Sequence, residues 1–315
     1  MRRSRSRVVS GTAPDFRDYQ GRQDLAPLLE FASRAMAARH PLNACWHPGD
    51  VVWELKPDYD RPHRLRMYES DGGIVAVTMF MGANQLWLEI LPDTEDDLLP
   101  GIAARAERSA RRAEQPTLSI RALEGDSRRV RVLEALGYRR AEPEGVCFRI
   151  DLTKELPAAP LPDGYRIRDS VGLDPAARAR AHRDAWDDLS EIGMPDARSS
   201  FSEEMYRGLA TAPCYDPSLD ILVEAPDGTL VVNTLCWADA ASGIAVFEPV
   251  GTHAQYRKRG LTKLAMQEAL RRIKSRGLRE GRVSTAHFNK PAIAAYAGAG
   301  FELYDRLHWW TKPLA

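Results

Sequence analysis

Phe247-Glu248-Pro249-Val250-Gly251-Thr252-His253-Ala254-Gln255-Tyr256-Arg257-Lys258-Arg259-Gly260-Leu261-Thr262-Lys263-Leu264 is the stretch on which the fold turns. The run Gly243 to Val250 is rich in β-forming residues and reads as a strand, and from Leu261 onward Leu264, Ala265, Ala269, Leu270 and Ile273 share one face of a helix that Gly277 stops. Between them lies a basic turn. Gly260 has no Cβ, so the backbone there can approach a ligand closely, and the first N–H groups of the helix point outward with the positive end of its dipole. Arg257, Lys258, Arg259 and Lys263 concentrate positive charge at the same place. Together these features describe a cradle for a pyrophosphate; a solvated helix start is the other reading of the turn taken alone.

Upstream, Leu219 to Ala225 and Thr229 to Trp237 flank Pro226-Asp227-Gly228 as a hairpin. Before it, Asp174 caps a helix running to Asp188 with Pro175 at its first position, and Tyr165 to Arg168 alternates as a strand. Downstream follow a strand at Arg282 to Thr285, a small-residue helix from Pro291 to Gly298, and two closing strands around Phe301 to Tyr304 and Leu307 to Lys312. The segment Leu156-Pro157-Ala158-Ala159-Pro160-Leu161-Pro162-Asp163-Gly164 breaks both periodicities and reads as a linker.

The part before the linker repeats the order in outline. A helix from Asp24 to Ala38 precedes a hairpin of Leu65 to Tyr68 and Gly73 to Met79 around Asp71-Gly72, then a strand from Gln85 to Leu91, a helix from Leu98 to Arg112, a strand at Thr117 to Ile120 and a helix from Ser127 to Leu136. Leu136-Gly137-Tyr138 closes this part as Ala299-Gly300-Phe301 closes the second, which favours duplication over coincidence. The place of the basic turn is taken by Pro92-Asp93-Thr94-Glu95-Asp96-Asp97, whose carboxylates repel a pyrophosphate, and Leu133 stands five residues before Tyr138. The Trp-containing strands and the His47-Pro48-Gly49-Asp50 turn have core or loop roles, with substrate contact as the alternative.

The basic turn resembles the pyrophosphate loop of the GNAT acetyltransferase superfamily, which reads Arg or Gln, two residues, Gly, one residue, then Gly or Ala; here these are Arg257, Gly260 and Thr262. Thr262 departs from the pattern while leaving its backbone N–H available. The segment Asn289-Lys290-Pro291-Ala292-Ile293-Ala294-Ala295-Tyr296-Ala297-Gly298-Ala299-Gly300-Phe301 is similar to the second motif of that superfamily. The layout is similar to tandem bacterial members such as the mycothiol synthase type. The resemblance implies an α/β fold of two tandem GNAT-like domains, each a mixed, mostly antiparallel sheet flanked by helices: residues 1–14 as a disordered tail, 15–155 as a degenerate copy, 156–164 as the linker and 165–315 as the catalytic domain. It implies acetyl-CoA as the acyl donor, held by Val250, Gly251, Thr252, Arg257, Lys258, Arg259, Gly260, Leu261, Thr262 and Lys263, with Asn289 on the pantetheine arm and Tyr296 protonating the departing thiolate.

A phenol with an ordinary pKa of about 10 suits that last task, although Tyr296 also reads as an aromatic packing its helix on the sheet. Glu248 is the candidate base or substrate anchor, with a carboxylate satisfied by a neighbouring backbone N–H as the alternative. The superfamily's Glu commonly lies two positions earlier, on the same face of the strand unless Pro249 bulges it. His253 is either a proton relay or an exposed loop residue, and Cys236 reads as core rather than as a nucleophile. The mechanism implied is direct attack of an amine on the thioester, with a backbone N–H near Val250 to Thr252 polarising the carbonyl and neither metal nor covalent intermediate required.

Composition narrows the partners. The 315 residues carry 44 Lys plus Arg and 44 Asp plus Glu, so no global field draws nucleic acid or an anionic membrane. Cys45, Cys147, Cys214 and Cys236 form no metal-ligand spacing and read as reduced thiols of a cytoplasmic protein. Met1 to Arg7 is basic but leads into no apolar segment of signal-peptide length. No GxGxxG follows a strand, which disfavours a dehydrogenase. The expectation is an N-acetyltransferase for a primary amine of a small molecule, monomeric or homodimeric. A protein N-terminal or lysine acetyltransferase and a non-catalytic acyl-CoA sensor are the alternatives.

Overall fold

Both halves of the chain run through one order of elements. In the computed structural model, which describes residues 15–42, 46–56, 63–70 and 73–314, the first half comprises β1 (Phe16–Tyr19), α1 (Leu25–Arg39), α2 (Pro48–Leu55), β2 (His63–Ser70), β3 (Gly73–Met81), β4 (Gln85–Ile90), α3 (Glu95–Arg112), β5 (Thr117–Leu123), α4 (Ser127–Ala135) and β6 (Arg139–Asp151). The second comprises β7 (Arg166–Asp169), α5 (Pro175–Ala185), α6 (Glu203–Leu209), β8 (Asp220–Glu224), β9 (Leu230–Asp239), β10 (Ile244–Thr252), α7 (Leu261–Ser275), β11 (Glu280–Ala286), α8 (Lys290–Ala299) and β12 (Glu302–Pro313). The expected tail over 1–14, the thiol of Cys45 and the Asp71-Gly72 turn lie outside the described residues. No described helix is long and apolar enough to cross a membrane.

Sequence reading anticipated two sheets. The structure joins them into one of twelve strands, ordered β1-β2-β3-β4-β5-β12-β6-β11-β10-β9-β8-β7. The last strand of the first half, β6, pairs with β11 of the second, and β12 pairs with β5 of the first. Each half is thereby completed by the other's closing strand, which removes the edges that two separate sheets would present. Among the described strands, only β4–β5 and β10–β11 run parallel.

Local chemistry accounts for the elements that sequence periodicity missed or misplaced. His47 to Asp50 is not a turn but the capped start of α2: the His47 imidazole accepts from the Gly49 amide at 3.0 Å and the Asp50 carboxylate accepts from the His47 amide at 2.9 Å. Helix α3 starts at Glu95 rather than Leu98, and the two closing strands are the single β12, kept continuous through register shifts at Leu303/Asp305, Leu307/His308 and His308/Trp310. β1 and β6 carry too little alternation to stand out.

The halves share a core. Trp46, Val51 and Val52 pack in one cluster with Leu235, Trp237 and Ile244. A Cβ on Gly49 would lie 2.2 Å from the Trp237 ring, so only glycine lets α2 rest directly on β9. The indole of Trp237 donates at 2.6 Å to the carbonyl of Glu248, which ties this contact to the end of β10.

Candidate active site

Strand β10 divides at Phe247. Up to that residue it pairs in parallel with β11, ending at Phe247↔Val283, while on its other side the register against β9 shifts between Phe247 and Val250. The irregularity falls on Glu248 and Pro249, which are joined by a cis peptide bond. Beyond it, Val250, Gly251 and Thr252 stay paired with β9 but leave β11, so the edge facing α8 opens into a cavity of about 700 Å³. Every cofactor-binding residue expected from the sequence lines it: Val250 to Thr252, Arg257 to Lys263 and Asn289, together with Tyr296.

The cradle is the N-terminus of α7. Gly260 is its cap at φ 75°, a conformation that costs other residues roughly 1–2 kcal/mol. No side chain caps the helix, and the first intrahelical bond from this end is Leu264 N–H to Gly260 O, which leaves the amides of Leu261, Thr262 and Lys263 for a ligand. The four cations divide their duties. Arg257 donates to the carbonyls of Thr252 (3.2 Å) and Ala185 (3.0 Å), fastening the loop to the end of α5. Arg259 donates to the Tyr165 hydroxyl (3.1 Å), and Lys258 pairs with Glu191 (2.8 Å) across the cavity. Lys263 has no hydrogen-bond or ion-pair partner among the described residues and is the cation best placed to meet an anion. The Thr262 hydroxyl is hydrogen-bonded to that of Thr252, so its β-branch is held toward the strand while its amide stays in the cradle.

Asn289 uses both ends of its amide on the protein. Its Oδ1 caps α8 by accepting from the Ala292 amide at 3.2 Å, and its Nδ2 donates to Thr285 at 3.1 Å, so it positions α8 against β11. Two turns along α8, Tyr296 is 5% exposed with its ring edge-on to Phe148. Its hydroxyl has no hydrogen-bond partner among the described residues. Burial, with Glu248 nearby, holds the phenol well above its ordinary range, so it keeps its proton at neutral pH.

Glu248 does not line this cavity. It faces a second one of about 170 Å³, bounded by Trp46, Asp50, Trp53 and Glu54 of the first half, Trp87 and Arg121 from β4 and β5, and residues of β6, β11 and β12. The shift at Pro249 breaks the face parity that strand alternation would otherwise have kept. The side-chain carboxyl of Glu248 has no hydrogen-bond or ion-pair partner among the described residues. Burial, then Asp50 and Glu54, push its carboxyl up to about 8, with Lys56 opposing; Asp50 is raised by burial to about 6. Glu248, which lines the smaller cavity, lies near enough to Tyr296, which lines the larger, to act on it electrostatically. The α8 face of small residues and the Trp186 wall were not assigned to the site from sequence, and in the smaller cavity Glu248 was named while Asp50 and the tryptophans stood only as the alternative to core and loop roles.

His253 accepts from the Gln255 amide at 3.3 Å, which turns the loop. Cys236 is 1% exposed, and burial pushes its thiol far up, consistent with a core residue.

The equivalent cleft of the first half is filled by its own side chains. Arg39 pairs with Glu89 (2.6 Å), Asp126 (2.6 Å) and Glu95 (2.8 Å), and Arg129 with Glu89 (3.0 Å) and Glu95, all of them buried. Asp126 caps α4 as Asn289 caps α8, accepting from the amide three residues on, and Leu133 occupies the position of Tyr296. The acidic run is thus not simply a repulsive surface: Glu95 turns inward to the guanidinium groups and Asp96 pairs with Arg128 at 2.9 Å.

Residues 186–301, which contain both the cradle and the α8 segment, match the Acetyltransferase (GNAT) family. A mycothiol acetyltransferase from a Nocardioides species is 31% identical over 186 residues; the match covers 54% of this chain and only 60% of that relative. Among solved structures, a tandem GNAT protein from the clavulanic acid biosynthesis pathway superposes with a TM-score of 0.61 at 20% identity, covering 96% of this chain and 98% of its own. A GCN5-related N-acetyltransferase from Sphaerobacter thermophilus gives 0.58 at 20% identity, with 96% and 97% covered. The residues that carry the cradle and the α8 segment thus match the GNAT family, and the fold is shared along nearly the whole chain with a protein that has the GNAT fold in tandem.

Proposed function

We propose that the protein is an acetyl-CoA-dependent N-acetyltransferase for a primary amine of a small molecule, with residues 165–315 carrying the chemistry and residues 15–155, a degenerate copy joined through 156–164, walling the acceptor pocket. The observation that carries this reading is the cavity of about 700 Å³ that holds the free N-terminus of α7 and Tyr296, with Glu248 acting electrostatically on Tyr296 from a smaller cavity lined by carboxylates and indoles. The larger has the attributes that acetyl-CoA requires: open space beside Gly260, three free amides, an unpaired Lys263 and room for an extended arm along α8. The similarity to a mycothiol acetyltransferase supports the reaction class and leaves the acceptor open.

Acetyl-CoA supplies an activated acyl group. The amine nitrogen bonds to the carbonyl carbon as the carbon–sulfur bond breaks; Glu248 takes the proton that the amine loses and Tyr296 returns one to the thiolate, yielding the amide and free CoA. A backbone amide near Val250 to Thr252, on the side of β10 that leaves β11, stabilises the carbonyl oxygen. Calorimetric titration is the test of donor binding: acetyl-CoA should bind one-to-one, and absence of heat with either acetyl-CoA or CoA would overturn the reading. A non-catalytic sensor would bind but not turn over.

Tyr296→Phe should lower turnover by roughly 10²-fold with acetyl-CoA affinity nearly unchanged, measured by thiol release; an unaltered rate would remove Tyr296 from the mechanism. The pH profile tests Glu248. A base must be deprotonated, so kcat/KM should climb with pH and level off above about 8, where Glu248 has lost its proton beside Asp50, Glu54, Lys56 and Tyr296. An inflection that survives in Glu248→Gln belongs to another group.

A further inference from the structure

We propose that the smaller cavity is a diamine site: a compact alkyl diamine places its reacting nitrogen at Glu248 and its distal ammonium between Asp50 and Glu54, against the indoles of Trp46, Trp53 and Trp87. This rests on the transferase reading for its reaction but on the cavity alone for its ligand. Three carboxylates, Asp50, Glu54 and Glu248, converge on a space of about 170 Å³. The cations around them do not balance them. Arg121 is committed to Glu144 at 2.9 Å and stacked 4.0 Å over Trp87, and Lys56, just outside the lining, offsets one carboxylate. With Glu248 keeping its proton at neutral pH and Lys56 offsetting one of the other two, one negative charge remains, matching the distal ammonium of a diamine whose reacting nitrogen is neutral. The upward displacement of both Glu248 and Asp50 is the mark of buried carboxylates that lack a counter-ion.

The aromatic walls select the kind of cation. Indole faces attract ammonium groups, and the protein itself shows this: the Lys56 amine lies 3.5 Å over the Trp53 ring. Trp46 is 2% exposed, lines the cavity and has no partner for its indole N–H among the described residues, which leaves a donor for the lone pair of the neutral reacting nitrogen. The cavity's small size disfavours a protein N-terminus or a lysine presented by a folded partner. Specificity therefore comes from the half of the chain whose own donor cleft is filled by ion pairs.

Quenching of tryptophan fluorescence in the full-length protein, without acetyl-CoA, reads the site directly. Butane-1,4-diamine should bind at least about tenfold more tightly than butylamine, and 4-aminobutanoate, matched in length but carrying a carboxylate, should not bind at constant ionic strength. Asp50→Asn keeps an acceptor for the α2 cap and should remove most of the diamine's advantage while leaving butylamine unchanged; Glu54→Gln is the second variant should the first fold poorly. Equal affinities for diamine and monoamine, binding of the aminocarboxylate, or no response to the diamine would each overturn the proposal. Acetyl-CoA calorimetry on the same preparation separates the two readings. Acetyl-CoA binding without diamine binding sinks the diamine site alone, and the reverse sinks the transferase reading while the diamine site stands.

Discussion

Arg129→Ala is expected to destabilise the protein by about 3–5 kcal/mol, the usual cost of removing one partner from a buried ion-pair network. The side chains of Arg39, Glu89, Glu95, Asp126 and Arg129 are each no more than 6% exposed, so water cannot replace the lost guanidinium. Arg39 would be left to neutralise three carboxylates. Because the halves exchange closing strands within one sheet, the loss should appear as an earlier single transition in urea rather than as separate melting of the first half. Acetyl-CoA binding, measured well below the transition, should survive, since none of the five residues lines the donor cavity. A shift below about 1 kcal/mol, the level of an exposed ion pair, would show that the cleft of the first half is wet and not filled.

Gly260→Glu is expected to weaken acetyl-CoA binding by more than about 100-fold, since like charges placed together at a binding site cost several kcal/mol. A Cβ at this position meets nothing within 4 Å, so the larger side chain fits and the fold should persist. Two effects would still act, the strain of φ 75° and the carboxylate itself, which would cap the free amides of α7 and repel a pyrophosphate. Gly260→Ala separates them, because it carries the strain without the charge and should cost less than about tenfold. Calorimetry reads both variants. Normal affinity in the glutamate variant would discard the cradle.

What was legible in the sequence was local. The basic turn, Gly260 and the amphipathic face of α7 are written within one strand–turn–helix unit, and the Asn289 cap and Tyr296 lie within two turns of one another on α8. Such signals depend on backbone conformations and spacings that neighbouring residues impose. The failed donor cleft of the first half was visible in its acidic run and Leu133, but what fills it was not: Arg39 is 50 residues from Glu89 and 87 from Asp126, and nothing short-range announces that pairing.

The sequence by itself thus determined the tandem fold, which half carries the basic helix start, and the residues that line the larger cavity. Tertiary structure alone decided three things: that the halves share one sheet by exchanging β6 and β12, that Glu248 faces the smaller cavity instead of the larger one, and that the first half lines that smaller cavity with Trp46, Asp50, Trp53 and Glu54. The physical reason is common to all three. Strand partners, the register slip at Pro249 and the convergence of distant carboxylates are set by packing between segments far apart in the chain, where local propensity carries no information.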